Sequence, residues 1–177
     1  MPHASKPAPS RHYGKHRGVV IDSIDPMQLG RVLVQVPHVL GAGVARWAMP
    51  CVPVAGHQSG VFLLPSVGAP VWIEFEQGDA ELPIWVGGYW VDAAELPSSA
   101  HAGLAGASGL VLLQTPGQNA LTISDQSGPE GGVVLRAQSG ATIVINEAGI
   151  TISNGHGASI VLAGPMVTIN EGALTVM

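Results

Sequence analysis

The chain has 177 residues, including 24 Gly and 14 Pro, with 46% hydrophobic residues, only 11% charged residues and a net charge of −5. A typical soluble domain is about 25% charged, so a lone copy would leave much of its surface uncharged, which points to an obligate assembly; the acidic balance argues against a nucleic-acid footprint. The single cysteine, Cys51, excludes an intrachain disulfide framework and a multi-cysteine zinc site.

Residues 1–16 read as a flexible polar arm with no signal-peptide core, and no apolar run reaches the ~18 residues of a membrane span. The chain is therefore expected to be soluble and assembled in the cytoplasm. The arm carries Lys6, Arg11 and Lys15 with His3, His12 and His16; together with Arg17 these form the only basic cluster, expected to order against a partner. From residue 17 to 90 the pattern is one of short strands. β-Branched or alternating runs at 18–24, 31–36, 46–54, 61–64, 71–75 and 84–86 are each bounded by Gly, Pro or Asp, with no sustained helical period. Five or six short strands in so few residues suit a small closed barrel, which leaves no sticky edge. The stretch 91–109, rich in Ala, Ser and Gly, reads as a linker.

Composition changes across that linker. All the aromatic residues, Tyr13, Trp47, Phe62, Trp72, Phe75, Trp85, Tyr89 and Trp90, precede it, and Arg136 is the only Lys or Arg after it. A large core without one aromatic is unusual. Residues 110–177 instead repeat one small unit, a triplet with apolar ends: Leu121 and Ile123, Val133 and Leu135, Ile143 and Ile145, Ile150 and Ile152, Ile160 and Leu162, Val167 and Ile169, Leu174 and Val176. The last residues of successive triplets lie 12, 10, 7, 10, 7 and 7 positions apart, separated by turn formers such as Asn146, Asn154 and Asn170. Repetition on this scale signals a solenoid or fibre.

One such ribbon cannot cover its own apolar face, but three wound as a triangular prism can, with those fourteen side chains meeting on the axis. Burying a Val, Leu or Ile is worth ~1.5–3 kcal/mol before chain entropy, so the sum is large only for the trimer. Seven strand layers make a shaft roughly 30–35 Å tall.

The ordered segments GKHRGVVIDSIDP (14–26), LGRVLVQVP (29–37), WAMP (47–50), GVFLLPSVGAPVWIEFEQGD (60–79) and LPIWVGGYW (82–90) resemble the N-terminal OB-fold of the phage baseplate assembly protein V and VgrG-type central spike family. The repeat after residue 110 is similar to that family's C-terminal needle. The resemblance implies an all-β homotrimer: an OB-fold barrel followed by a three-chain intertwined β-helix, at the tip of a contractile injection apparatus. That apparatus is a phage tail, a type VI-like system or a released phage-tail-like particle. It further implies hub, baseplate and tube proteins as partners of the OB end, a target membrane ahead of the needle, and a PAAR-type tip protein on its blunt end. Here that end is Asn170, Glu171, Gly172, Ala173, Leu174, Thr175, Val176 and Met177. Some members carry a lysozyme domain between the two parts, and residues 91–109 are too few for one. Others close the needle with a metal held by a His-x-His pair; this chain has only His156 there.

Several single residues admit competing roles. His156 on a threefold axis could hold a metal with its symmetry mates, but in Asn-Gly-His-Gly it reads as a solvent-facing turn residue. Glu74 and Glu76 share a strand face and suggest a glycosidase pair; the alternative is a solvent face with Trp72 packing inward. Cys51 reads as a small apolar residue. No cofactor and no nucleic acid are expected. The expected function is a non-enzymatic piercing spike, the rivals being a glycan-cleaving trimeric tail enzyme and an OB-type nucleic-acid-binding module.

Overall fold

A computed structural model describes residues 10–101, 109–128 and 131–176. The chain forms two compact units that divide between Val91 and Asp92.

In the first unit, β1 (His16–Asp22), β2 (Val32–Gln35), β3 (Ala45–Pro50), β6 (Pro70–Phe75) and β7 (Pro83–Gly88) close into a barrel in the order β1-β2-β3-β7-β6. All pairings are antiparallel except the closing one, where β3 runs parallel to β7 through Met49 opposite Ile84. Alternation builds the core: Val20, Val32, Val34, Val36, Val71 and Ile73 are fully buried, with Phe75 and Trp85 beside them. The Trp85 indole N–H donates to the Gly30 carbonyl, satisfying its one polar atom. One short helical turn, α1 (Pro37–Leu40), links β2 to β3, and a small hairpin, β4 (Ala55–Gly56) with β5 (Ser59–Gly60), rises between β3 and β6.

Three expectations change here. Residues 61–64 form no strand: the barrel is already closed by the β3–β7 pairing, which leaves no free edge. After Val61 N–H donates to Val54 O the segment runs on with its side chains exposed. Trp72 does not pack inward. Val71, Ile73 and Phe75 take the inward phase of β6, so Trp72 and Glu74 share the outer face. Glu76 falls beyond the strand, opening a turn (Glu76–Gly78) in which Gln77 is left-handed, so the two glutamates do not share a strand face.

The arm is also shorter than expected. His12 N–H donates to Gly78 O, Arg11 lies 3.8 Å from Asp79, and Lys15 is 2.6 Å from Glu74. Residues 11–16 are therefore bonded along the barrel, because the two cations find carboxylates there. His3 and Lys6 lie outside the described residues.

The second unit is one antiparallel meander of eight strands: β8 (Leu110–Gln114), β9 (Ala120–Ser124), β10 (Gly132–Arg136), β11 (Thr142–Asn146), β12 (Gly149–Ser153), β13 (Ser159–Ala163), β14 (Met166–Ile169) and β15 (Leu174–Val176). The seven expected triplets are seven of these strands; β8 precedes them. The irregular spacing now has a cause. Turns 115–119, 137–141, 154–158 and 170–173 lie on one edge of the sheet, and the two-residue turns 147–148 and 164–165 lie on the other, so the four middle steps run 10, 7, 10 and 7. The described part of the expected linker is structured: Asp92 caps a turn at Ala94, and Ser99 accepts a hydrogen bond from Arg136.

Candidate assembly face

Strand register decides which side chains share a face, because residues directly opposite across a ladder point the same way. Two continuous columns cross the sheet. One runs Val111, Ile123, Val133, Ile145, Ile150, Leu162 and Val167, and continues in register to position 176. The other runs Leu113, Leu121, Leu135, Ile143, Ile152, Ile160, Ile169 and Leu174. All fourteen positions expected to pack together therefore lie on one face, joined by Val111 and Leu113 from β8. The doublet of Leu113 and Val111 was legible in the sequence as another apolar pair two apart, but Leu112 between them and the leucine-rich composition obscured the repeat.

On the single chain none of the described residues covers this face. Ten of its residues, Val111, Leu113, Ile123, Leu135, Ile143, Ile145, Ile152, Ile160, Leu162 and Leu174, are between 37% and 54% exposed. A shallow groove of about 690 Å³ runs over Leu121, Leu135, Ile143 and Ile152. Eight strands spaced about 4.8 Å apart make this an aliphatic stripe roughly 35 Å long, far beyond the apolar patches that monomers tolerate. The opposite face differs. Its middle column mixes Val and Thr (Thr122, Val134, Val144, Thr151, Val161, Thr168) after Leu112 of β8, and Arg136, Thr142, Ser153 and Ser159 flank it.

The long-turn edge is tied laterally. Asn119 Oδ1 accepts from Gln138 N–H, and Asn170 Oδ1 accepts from Ser159 N–H, each at 3.0 Å, while Gly155 approaches the backbone of Gly140 too closely for a side chain. At the other edge β12 starts at Gly149 with φ +135°, where a Cβ would run into the Leu162 carbonyl. Of these residues the sequence marks Asn170 as a turn former, while the stacking between turns follows only from the register.

The remaining candidates are dispersed. His156 is exposed in turn 154–158, where the Asn154 carboxamide accepts its backbone N–H, and no cluster of potential metal ligands occurs among the described residues. Asn170, Glu171, Gly172 and Ala173 form an exposed turn at the end of the meander. The backbone of Leu174, Thr175 and Val176 forms the last strand, and Met177 lies outside the described residues. Cys51 is exposed rather than packed, its N–H donating to Trp85 O at the end of β3.

On the barrel the described Lys and Arg of the basic cluster all have partners. Arg11 and Lys15 face carboxylates, and Arg17 lies over the Trp72 and Tyr89 rings at 5.6 and 5.1 Å, a cation–π stack. Asp25 organises the β1–β2 loop: its carboxylate takes the Arg31 guanidinium and the backbone N–H groups of Met27, Leu29 and Arg31. These bonds, the guanidinium first, hold its carboxyl well below the usual aspartate range.

Comparison with known families assigns both units. The family model described as the type VI secretion system/phage-baseplate injector OB domain matches residues 16–90, the barrel. The one described as the phage baseplate V C-terminal trimerisation domain matches residues 110–175, the meander. No curated protein matches the chain. Both families are structural components of baseplates, and the trimerisation domain makes self-association a property of the sheet unit. With an injector OB domain followed by that trimerisation domain, the chain belongs to the phage baseplate V family.

Proposed function

We propose that the chain is the central piercing spike of a contractile injection system, of the gpV or VgrG-like kind. Its organisation is an N-terminal arm, an OB barrel ending near residue 90, a connecting segment to 109, and a needle from 110 to 177. Three copies wrap their sheets into an intertwined β-helix with both aliphatic columns on the axis. The observation that carries this reading is the uncovered apolar stripe of the meander, sixteen positions in strict register on one face. Closed hydrogen bonding around a dry axis would make the shaft stiff, so that force from sheath contraction reaches the target membrane over a narrow end. The barrel joins the hub and tube, and residues 170–177 seat a PAAR-type tip protein. The function is mechanical and uses neither catalytic residues nor a cofactor. Among the described residues no helix is long and apolar enough to cross a membrane.

Electron microscopy and solution mass of the purified chain test the spike: a trimeric needle with a wider head supports it, and a compact single subunit overturns it. Deleting residues 165–177 should abolish capture of a PAAR-type protein while the Trp85 fluorescence of the folded barrel persists. A truncated spike that still captures the tip protein refutes the assignment of that end.

A further inference from the structure

The barrel carries a second apolar surface that the needle does not use. From Trp47 to Ile73 there is no Asp, Glu, Lys or Arg, yet much of this stretch is in water: Val54, Phe62, Leu63 and Val67 are each 59–74% exposed. The loop is nevertheless built into the barrel. Cys51 N–H donates to Trp85 O, Val61 N–H donates to Val54 O, and the Phe62 ring edge rests against Gly30, where φ is +74° and a Cβ would touch the ring. A groove of about 390 Å³ runs between Phe62 and the barrel wall at Leu29 and Trp85.

We propose that loop 51–68 is a second self-association surface, meeting its own two copies about the threefold axis of the assembled trimer. Two arguments select a copy of this chain as the occupant. The trimerisation domain already holds three barrels together, at an effective concentration on the order of millimolar for short tethers, so apolar loops meet one another before they meet any partner. At a threefold axis every residue also faces its own copies, so that any charge meets like charge; an exposed apolar segment with no charged residue over its whole length suits that position. The other exposed surfaces of the barrel do not, since Arg17, Lys15, Glu74, Arg46 and Glu81 all lie on them.

This inference rests on the trimeric needle, and the experiment separates the two. The full chain carrying Cys51→Ser and Phe62→Cys is purified, its mass is measured in solution, and it is treated with a short bis-maleimide. Cys51→Ser with His38→Cys, an exposed site on α1, is the control. Trimer mass with covalent dimers at position 62, up to about two chains in three because each bridge uses two of three thiols, and none at position 38, is the expected result. Trimer mass with no more bridging at 62 than at 38 overturns the inference while leaving the needle intact, and assigns the loop to the hub instead. Monomer mass overturns both. Leu63→Cys in the same background repeats the measurement one residue along, so a folding fault at position 62 does not decide it.

Discussion

Replacing Ile152 with Asp puts the packing scheme at risk at its centre. Ile152 lies opposite Ile143 and Ile160 in the second column and is 42% exposed on the single chain. Covering that remaining surface is worth about 1–2 kcal/mol per chain at ~25 cal/mol per Å², hence roughly 3–6 kcal/mol per trimer. Three carboxylates taken out of water cost several kcal/mol each even after relaxation, about 10 kcal/mol or more together. The total, on the order of 15 kcal/mol, lowers the assembly constant by roughly ten orders of magnitude at ~1.4 kcal/mol per decade. The variant should sediment as a monomer at neutral pH. Burial favours the protonated carboxyl, so acidification toward pH 4 should recover part of the trimer. Thr151→Asp, one residue away but on the opposite face beside Val144 and Val161, should remain trimeric. A variant at Ile152 with the wild-type mass at neutral pH would show that the aliphatic columns are not the trimer axis.

Gly149→Ala should destabilise the sheet unit by about 1–3 kcal/mol per chain, since its φ of +135° and the Leu162 carbonyl leave no room for a Cβ; thermal melting followed by far-UV circular dichroism checks this. Asp25 has a lowered carboxyl pKa in the folded barrel, so its contribution is complete above the ordinary aspartate range and is lost as pH falls through about 4 and below. Tryptophan-detected melting should show the wild type losing stability on acidification, and Asp25→Asn should be less stable at neutral pH with a shallower acid slope. His156→Ala and treatment with a chelator should both leave the trimer mass and melting unchanged. Loss of the trimer on chelation would place a metal on the axis.

How much was readable in advance differs between the two units, and the reason is range. In the needle the apolar ends of each triplet are two residues apart, and a period of two is a local property. The face-sharing of Ile143 with Ile145, or of Ile160 with Leu162, therefore follows from the sequence, as does the need for partners where no aromatic supplies a core. The absence of aromatics after Trp90 and the turn residues at Asn146, Asn154 and Asn170 are likewise local features. What the sequence could not settle was how the triplets align across strands: a slip of one residue would send a strand's apolar pair to the other face. Tertiary pairing decided that Ile123, Val133, Ile145 and Ile150 form one column, that β8 adds Val111 and Leu113, and that Asn119 and Asn170 tie neighbouring turns. In the barrel, alternation marked β1, β2 and β6, but closure is a property of the whole sheet. Only the parallel meeting of β3 and β7 determined that residues 61–64 join no strand and stay exposed, and that Trp72 faces outward under Arg17 while Val71 and Ile73 fill the core.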